Sequence, residues 1–171
     1  TPRLLRAGEL HNSTASGVAY LEERWEALRE MHLNCVLAPV YWELMEPHEG
    51  AYCFDGVDAL LRLAWQSDMK LILLWFGAWK NGSSAYAPGY VKTAPERFVR
   101  CRHTDGRVYL TLSPFCEETR QADSRAFAAL MRHLRKADVQ ASTVLAVQVE
   151  NEAGFLGGVR DTSPCAQERF T

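Results

Sequence analysis

The sequence lacks the features that mark several large classes of protein. Its longest apolar run, Leu71 to Ala78, is far too short to cross a bilayer, and Thr1-Pro2-Arg3 does not open a charged and apolar leader. The net charge of −2 is spread along 171 residues without a basic stripe. The sequence therefore predicts neither a membrane nor a nucleic-acid partner. It leaves the compartment open, including a periplasmic or secreted parent protein.

Cysteine patterns are missing as well. None of the five cysteines forms a Cys-x-x-Cys pair, which argues against a zinc ribbon or a thioredoxin-like motif. Their odd number argues against a complete disulfide framework. The histidines lack partners at ligand spacing, so we expect no metal site and no cofactor.

What the sequence does contain is a regular alternation of apolar strands and amphipathic helices. The predicted strands cover residues 4–11, 34–42, 70–76 and 143–149, and the predicted helices cover 22–32, 55–67 and 124–137, with a fourth beginning near 163. Strands that are apolar on both faces and alternate with helices are typical of a parallel sheet covered by helices.

This order predicts an α/β fold, a partial (β/α)8 TIM barrel of about the first four βα units. A complete barrel needs roughly 250 residues, so residues 1–171 are interpreted as the N-terminal half of a truncated barrel domain. A doubly wound open sheet is the alternative. It normally carries a glycine-rich phosphate turn after its first strand, and Gly8-Glu9-Leu10-His11-Asn12 is not such a turn.

The strongest chemical motif ends the fourth strand, at Gln148-Val149-Glu150-Asn151-Glu152-Ala153-Gly154. Carboxyl ends of parallel barrel strands share one face, and that face carries the chemistry. A glycosidase needs a protonated carboxyl beside the leaving oxygen, and burial near a second acid keeps such a proton at neutral pH. We therefore expect Glu152 to be buried and protonated, with Asn151 beside it to contact the sugar.

Three segments resemble glycoside hydrolase family 35, a family of retaining barrel glycosidases. The first is the fourth-strand motif above. The second is the block from Tyr41 to Gly56, with Trp42, Glu46-Pro47 and Gly50 followed by aromatics. The third is the first-strand turn at Gly8–Ser13, and together the three span nearly the whole chain.

The resemblance implies a β-galactosidase-like enzyme that hydrolyses terminal β-galactosides in carbohydrate metabolism. It implies that Glu152 is the general acid/base and that Asn151 binds the sugar. The family's nucleophile is a second glutamate after the seventh strand, which this chain does not contain, so the fragment is predicted to be inactive. The implied partner is a β-galactoside or oligosaccharide, and the full-length enzyme could be oligomeric.

Other site candidates follow the first and third strands. Trp79-Lys80-Asn81-Gly82 stands where the best-known relatives carry a different galactose-binding segment, and resembles instead a bacterial subgroup. Lys80 and Asn81 could grip a sugar hydroxyl, or Lys80 could be a solvated loop residue. Trp79 could be a sugar platform or a packing residue. Glu9 and His11, at the first strand, could face the barrel mouth, or Glu9 could pair with an arginine.

Two alternatives to the galactosidase interpretation stay open. One is a non-catalytic carbohydrate-binding or interaction fragment, whose open sheet edges would be covered by another chain. The other is a different β-glycosidase specificity within the same clan.

Overall fold

The computed structural model describes residues 4–152, 154 and 158–170. The strands are β1 (Ala7–Glu9), β2 (Cys35–Tyr41), β3 (Lys70–Lys80), β4 (Arg100–Arg102), β5 (Val108–Leu112) and β6 (Val144–Asn151). The helices are α1 (Val18–Glu30), α2 (Trp42–Met45), α3 (Asp55–Gln66), α4 (Gly89–Lys92), α5 (Glu117–Ala137) and α6 (Pro164–Phe170). The Thr1–Arg3 segment, Ala153 of the fourth-strand motif and Thr171, all used in the sequence analysis, lie outside the described residues.

Four strands form one parallel sheet in the order β1-β2-β3-β6. Helices α1, α3 and α5 lie between consecutive strands of this sheet along the chain. The predicted α/β class with a parallel sheet is thereby confirmed, and the arrangement is consistent with part of a TIM barrel. Strands β4 and β5 form a separate antiparallel pair inserted after β3.

The core lies along the two central strands of the sheet. Val36 on β2 and Leu73 on β3 are fully buried, because these strands have a neighbour on each side and helices packed against them. Leu60 on α3 and Leu130 on α5 join the same apolar cluster. Burying a side chain of this size stabilises the fold by about 1.5–3 kcal/mol.

Strand β6 differs from the prediction. It has the apolar sequence expected of a buried strand, yet Leu145 is 48% exposed and Val149 is 59% exposed. The prediction of a fully buried fourth strand is wrong for the described residues. The physical reason is its place at the edge of the sheet, where only β3 pairs with it.

Two further predictions need correction. The glycine-, serine- and proline-containing stretch from 77 to about 107 predicts a loop, but it contains the end of β3, helix α4 and strand β4. Trp25 and Trp65 both fit helical patterns in the sequence, which predicts core positions for both; Trp25 is 3% exposed, as expected, but Trp65 is 75% exposed. Within the part of the chain that the structure describes, helices are too short or too polar to span a bilayer.

Candidate active site at the ends of the third and sixth strands

The candidate site lies where β3 and β6 end side by side. Trp75 pairs with Val149, and the next paired residues are Lys80 and Asn151, so β3 advances by five residues while β6 advances by two. The extra β3 residues form an irregularity, a feature that often lies next to active sites. Their backbone N–H groups leave the regular ladder and need other acceptors.

Glu150 supplies those acceptors. Its carboxyl group accepts hydrogen bonds from the backbone N–H of Ala78 at 2.9 Å and of Trp79 at 2.7 Å. The approach requires glycine at position 77, because a Cβ there would lie 2.3 Å from Asp123 Oδ1 and 2.7 Å from Glu150 Oε1. Glu150 itself has φ of 60°, a left-handed conformation that is uncommon outside glycine.

Asp123 on α5 lies against the same carboxyl group. Its Oδ1 accepts a hydrogen bond from Trp75 Nε1 at 3.0 Å. A Cβ at position 77 would lie 2.3 Å from this oxygen and 2.7 Å from Glu150 Oε1, so the two carboxyl groups lie close together. Burial, together with the charge and hydrogen bond of Asp123, raises the pKa of Glu150 to about 9. Burial also raises the pKa of Asp123. Burial and the neighbouring carboxyl group therefore favour the protonated form of Glu150 at neutral pH.

Lys80 and Asn151, both predicted as site residues, are in direct contact. Lys80 Nζ donates to Asn151 Oδ1 at 2.7 Å and lies 4.6 Å from the centre of the Phe76 ring. Lys80 is only 6% exposed, so the interpretation as a solvated loop lysine is wrong. Because the Asn151 oxygen is engaged by the ammonium group, its NH₂ group is oriented to donate elsewhere, for example to a hydroxyl.

Glu152 lies at the same strand end, but its side chain is exposed. The prediction that this carboxyl is buried is wrong in the described structure; the partly buried, protonated carboxyl belongs to Glu150, two residues earlier. The main chain of Glu152 is nonetheless held at the tip of β3, since its carbonyl accepts from Gly82 N at 3.2 Å. Its φ of 49° turns the chain out of β geometry.

Trp79 and Asn81 occupy the other positions of the β3 tip. Trp79 is half-buried, and its Nε1 donates to the Leu112 carbonyl at 3.1 Å. The same ring lines a cleft of about 350 Å³ with Phe115 and Arg160. Trp79 thus combines a packing contact with an accessible face. Asn81 is exposed, in a left-handed turn with φ of 53°.

Glu9 and His11 are not brought to this cluster by contact. Glu9 pairs in register with Leu37, so it lies at the opposite edge of the sheet from β6. The side chains of Glu9 and His11 are both exposed. Among the described residues, no hydrogen bond or ion pair connects either of them to Lys80, Asn151 or Glu152. Glu9 also has no arginine partner among the residues that the structure describes.

The Glu-Pro block of the second strand has a structural role. Glu46 is buried and accepts hydrogen bonds from Trp42 Nε1 at 2.7 Å, Gly50 N at 2.7 Å and Tyr90 OH at 3.1 Å. These contacts close the turn that follows α2. The Glu46-Pro47 sequence predicts such a turn, because the residue before a proline is disfavoured in a helix.

Asp123 is the site residue that the sequence interpretation missed. The predicted helix began at Ser124, which left Asp123 outside it, whereas α5 begins at Glu117. Within α5, Asp123 stands one turn before Phe127 on the stripe that continues through Leu130 and Leu134. An acid on an apolar helical stripe was the available signal.

Several solved structures share this fold, and they are glycoside hydrolases. A catalytic-mutant structure of a family 42 β-galactosidase from G. stearothermophilus matches with a TM-score of 0.71 and 19% identity, over 96% of this chain and 23% of that one. A family 39 glycoside hydrolase from the gut symbiont Bacteroides cellulosilyticus WH2 matches with a TM-score of 0.56 and 16% identity, over 93% and 26%. An exo-β-1,4-mannosidase from Opitutaceae bacterium strain TAV5 matches with a TM-score of 0.61 and 13% identity, over 86% and 24%.

At these identities the matches establish the fold, that of the catalytic barrels of glycoside hydrolases. The chain spans about a quarter of the length of each of these three structures. No curated protein sequence matches it.

The family follows from the sequence match. Residues 15–171 match the family model of glycoside hydrolase family 42, described as β-galactosidase, so the chain belongs to that family. The resemblance to family 35 is not supported at the level of the family. It holds at the coarser level of β-galactosidase-like glycoside hydrolases of clan A.

Proposed function

We propose that this chain is the N-terminal half of the catalytic barrel of a retaining β-galactosidase that hydrolyses terminal β-galactosides, with Glu152 as the general acid/base. One observation carries the proposal. Asn151 and Glu152 end β6 directly against the tip of β3, where Lys80 holds the Asn151 oxygen and Gly82 holds the Glu152 carbonyl.

The proposed chemistry uses these residues in two steps. Glu152 gives a proton to the leaving oxygen, and after a glycosyl-enzyme forms, it takes a proton from water. The NH₂ group of Asn151 donates to a sugar hydroxyl. The nucleophile is a second glutamate, about 5–5.5 Å from the acid/base in a retaining enzyme, and we place it after a seventh strand that is not among these 171 residues.

The exposure of Glu152 fits a half-barrel. A TIM barrel has eight parallel strands, so β6 would pair with a fifth strand on its open side. That strand would cover the apolar side chains of Leu145 and Val149, which are 48% and 59% exposed here. The same closure would place Glu152 in a drier mouth, where a carboxyl group keeps its proton more readily.

The proposal is tested with 4-nitrophenyl β-galactoside on two proteins. The 171-residue chain is expected to give no turnover, and the complete barrel, meaning the longer protein that we propose contains it, is expected to be active. In the complete barrel, Glu152→Gln should lower kcat by about 10²–10⁴-fold. Azide should restore turnover by attacking the glycosyl-enzyme without a base.

Two outcomes count against this function. Cleavage by the purified 171-residue chain contradicts a nucleophile outside it, and an active complete barrel that tolerates Glu152→Gln contradicts the acid/base assignment. Glu23→Gln, an exposed acid on α1, is the matched control and should leave kcat unchanged.

A different β-glycosidase specificity is the second candidate within the same fold, because an exo-β-1,4-mannosidase is among the structural matches. Aryl β-mannosides, β-glucosides and arabinosides separate these specificities when they are compared on the complete barrel. A kcat/KM higher on one of them than on the β-galactoside would replace the galactoside assignment.

A non-catalytic binding or interaction module is the candidate from another class, and the exposed edge of β6 favours it. Edge strands with exposed apolar side chains readily pair with a second chain. A stable dimer of the 171-residue chain in size-exclusion chromatography, with sugar binding but an inactive complete barrel, would support this candidate over the enzyme.

A further inference from the structure

We propose that Asp123 and Glu150 form a proton-sharing carboxyl pair that positions Asn151 and Glu152 for catalysis. They are positioning residues, because neither side chain contacts a reacting group in the part of the chain that the structure describes. This inference rests on the proposed function for its catalytic part.

The end of β6 has an unusual backbone conformation. Glu150 and Glu152 both have left-handed φ values, 60° and 49°, which are unfavourable outside glycine. Such conformations persist where surrounding contacts determine them, and they cluster at functional sites. The end of β6 therefore needs contacts that hold Glu150, Asn151 and Glu152 in a backbone path in which two of the three residues are left-handed.

Each of these three residues is tied to the tip of β3. Glu150 accepts from the N–H groups of Ala78 and Trp79, Asn151 accepts from Lys80, and the Glu152 carbonyl accepts from Gly82. The Glu150 contact comes before the Asn151 and Glu152 contacts along both strands. The carboxyl group of Glu150 consequently determines where Asn151 and Glu152 leave the sheet.

The Glu150 contact would be opposed by Asp123 if both acids were ionised. Like charges this close repel, whereas one proton between two carboxyl groups turns the repulsion into a hydrogen bond. Asp123 cannot swing away easily, because Trp75 Nε1 donates to it at 3.0 Å and position 77 leaves no room for a Cβ. The proton, taken from solvent during folding, completes the tie.

Among the residues that the structure describes, few charged groups lie near the pair. The charge of Glu46, which follows α2, raises the pKa of Asp123 and so favours the protonated form of that carboxyl group. Lys80 on β3 is occupied with the Asn151 oxygen. Trp75, Ala78 and Trp79 contribute neutral N–H donors.

The shared proton is tested first on the 171-residue chain, by following side-chain carboxyl ¹³C signals against pH. The Glu150 carboxyl should remain protonated at neutral pH and titrate near its pKa of about 9. Asp123→Asn removes the neighbouring charge, so the pKa of Glu150 should fall by about one unit or more. Titration of wild-type Glu150 near the ordinary value of about 4.3 overturns the inference, whatever the protein's function.

The positioning role is tested on the complete barrel by varying the leaving group. If the pair acts through Glu152, Asp123→Ala should lower kcat about 100-fold on phenyl β-galactoside, which needs the acid. The loss should be less than about tenfold on 2,4-dinitrophenyl β-galactoside, whose leaving group needs little protonation. Asp123→Asn, which still accepts from Trp75 and donates to Glu150, should recover most of the kcat.

The outcomes separate the two proposals. Equal losses on both substrates would show that the pair only stabilises the fold, and would overturn its positioning role. An inactive wild-type barrel would overturn the proposed function and the catalytic part of this inference, while the ¹³C titration still decides whether the proton is shared. Glu118→Gln on the exposed face of α5 is the matched control.

Discussion

The middle of β3 and the end of β6 are neighbours in one sheet, yet they are built on opposite principles. From Leu73 to Trp75, strand β3 is buried and apolar and pairs with β6 in a regular register. At Glu150 to Glu152 the register shifts, two residues are left-handed, and most contacts are polar. The regular part stabilises the fold through burial. That stability offsets the unfavourable backbone conformations of the irregular part, which orient specific side chains.

This contrast explains why the polar contacts gather at the strand ends. A parallel sheet satisfies its own backbone groups as long as the ladder continues. Where β3 gains extra residues, the freed N–H groups of Ala78 and Trp79 need acceptors, and the carboxyl group of Glu150 meets that need. The irregular end therefore depends on side-chain chemistry in a way that the centre does not.

The largest expected effect tests the centre against the edge. Leu73→Ala removes a fully buried side chain and should lower the free energy of unfolding by about 3 kcal/mol. Leu145→Ala, on the exposed side of β6, should cost less than about 1 kcal/mol. Urea denaturation of the 171-residue chain measures both, and equal losses would show that β6 is buried by self-association.

The next effect concerns the close packing of Gly77 against Trp75 and Asp123 near the end of β3. Gly77→Ala places a Cβ 2.3 Å from both Trp75 Nε1 and Asp123 Oδ1, and should cost about 2 kcal/mol through overpacking. Gly56→Ala, in the first turn of α3 with open space around it, should be neutral or slightly stabilising. A neutral Gly77→Ala in urea denaturation would contradict the close contact among the three groups.

A separate effect, one of protonation and not of packing, is expected when the pH is changed. The pKa of Glu150 is raised from 4.5 to about 9, so its protonated form stabilises the folded state fully below about pH 4.5. This stabilising contribution decreases as the pH rises from about 4.5 to about 9, and it is absent above about pH 9. The urea midpoint should therefore decline towards pH 9 more steeply in the wild type than in Glu150→Gln, and parallel slopes would contradict the raised pKa.

The smallest effect is expected at Trp65. This side chain is 75% exposed, so Trp65→Ser should change the free energy of unfolding by less than about 0.5 kcal/mol. Trp25→Ser, at 3% exposure, is the matched comparison and should cost several times more. A large loss at Trp65 in urea denaturation would indicate that another surface covers α3.

Much of the fold could be predicted because the apolar periodicity of each element is strong. The strands at 34–42 and 70–76 and the helix at 55–67 between them were expected within a few residues, since burial on both faces leaves a continuous apolar run in each strand. The exposure of β6 could not be predicted, because a strand's own residues do not record whether a neighbour is present. Trp65 was misplaced for a similar reason: the spacing of a helical pattern does not say where the covered face ends.

The candidate site was predicted in part. The polar ends of β3 and β6 were identified, and the structure brings Lys80 and Asn151 into contact. The role of Glu150 and the presence of Asp123 were not foreseen, because they depend on an irregular register and on a helix from a distant part of the chain. The roles assigned to Glu152, Asn151, Trp79, Asn81, Glu9 and His11 stay predictions that the experiments above address.

The order of the main strands and helices, the parallel sheet and the β-galactosidase-like class of glycoside hydrolase can be inferred from the amino-acid sequence, because local periodicity and motif spacing carry them. Which carboxyl group at the end of β6 holds a proton is a property of the assembled structure. Glu150 and Glu152 have the same side chain and lie two residues apart, and only the packing of α5 against β3 gives one of them an acidic neighbour and two backbone donors.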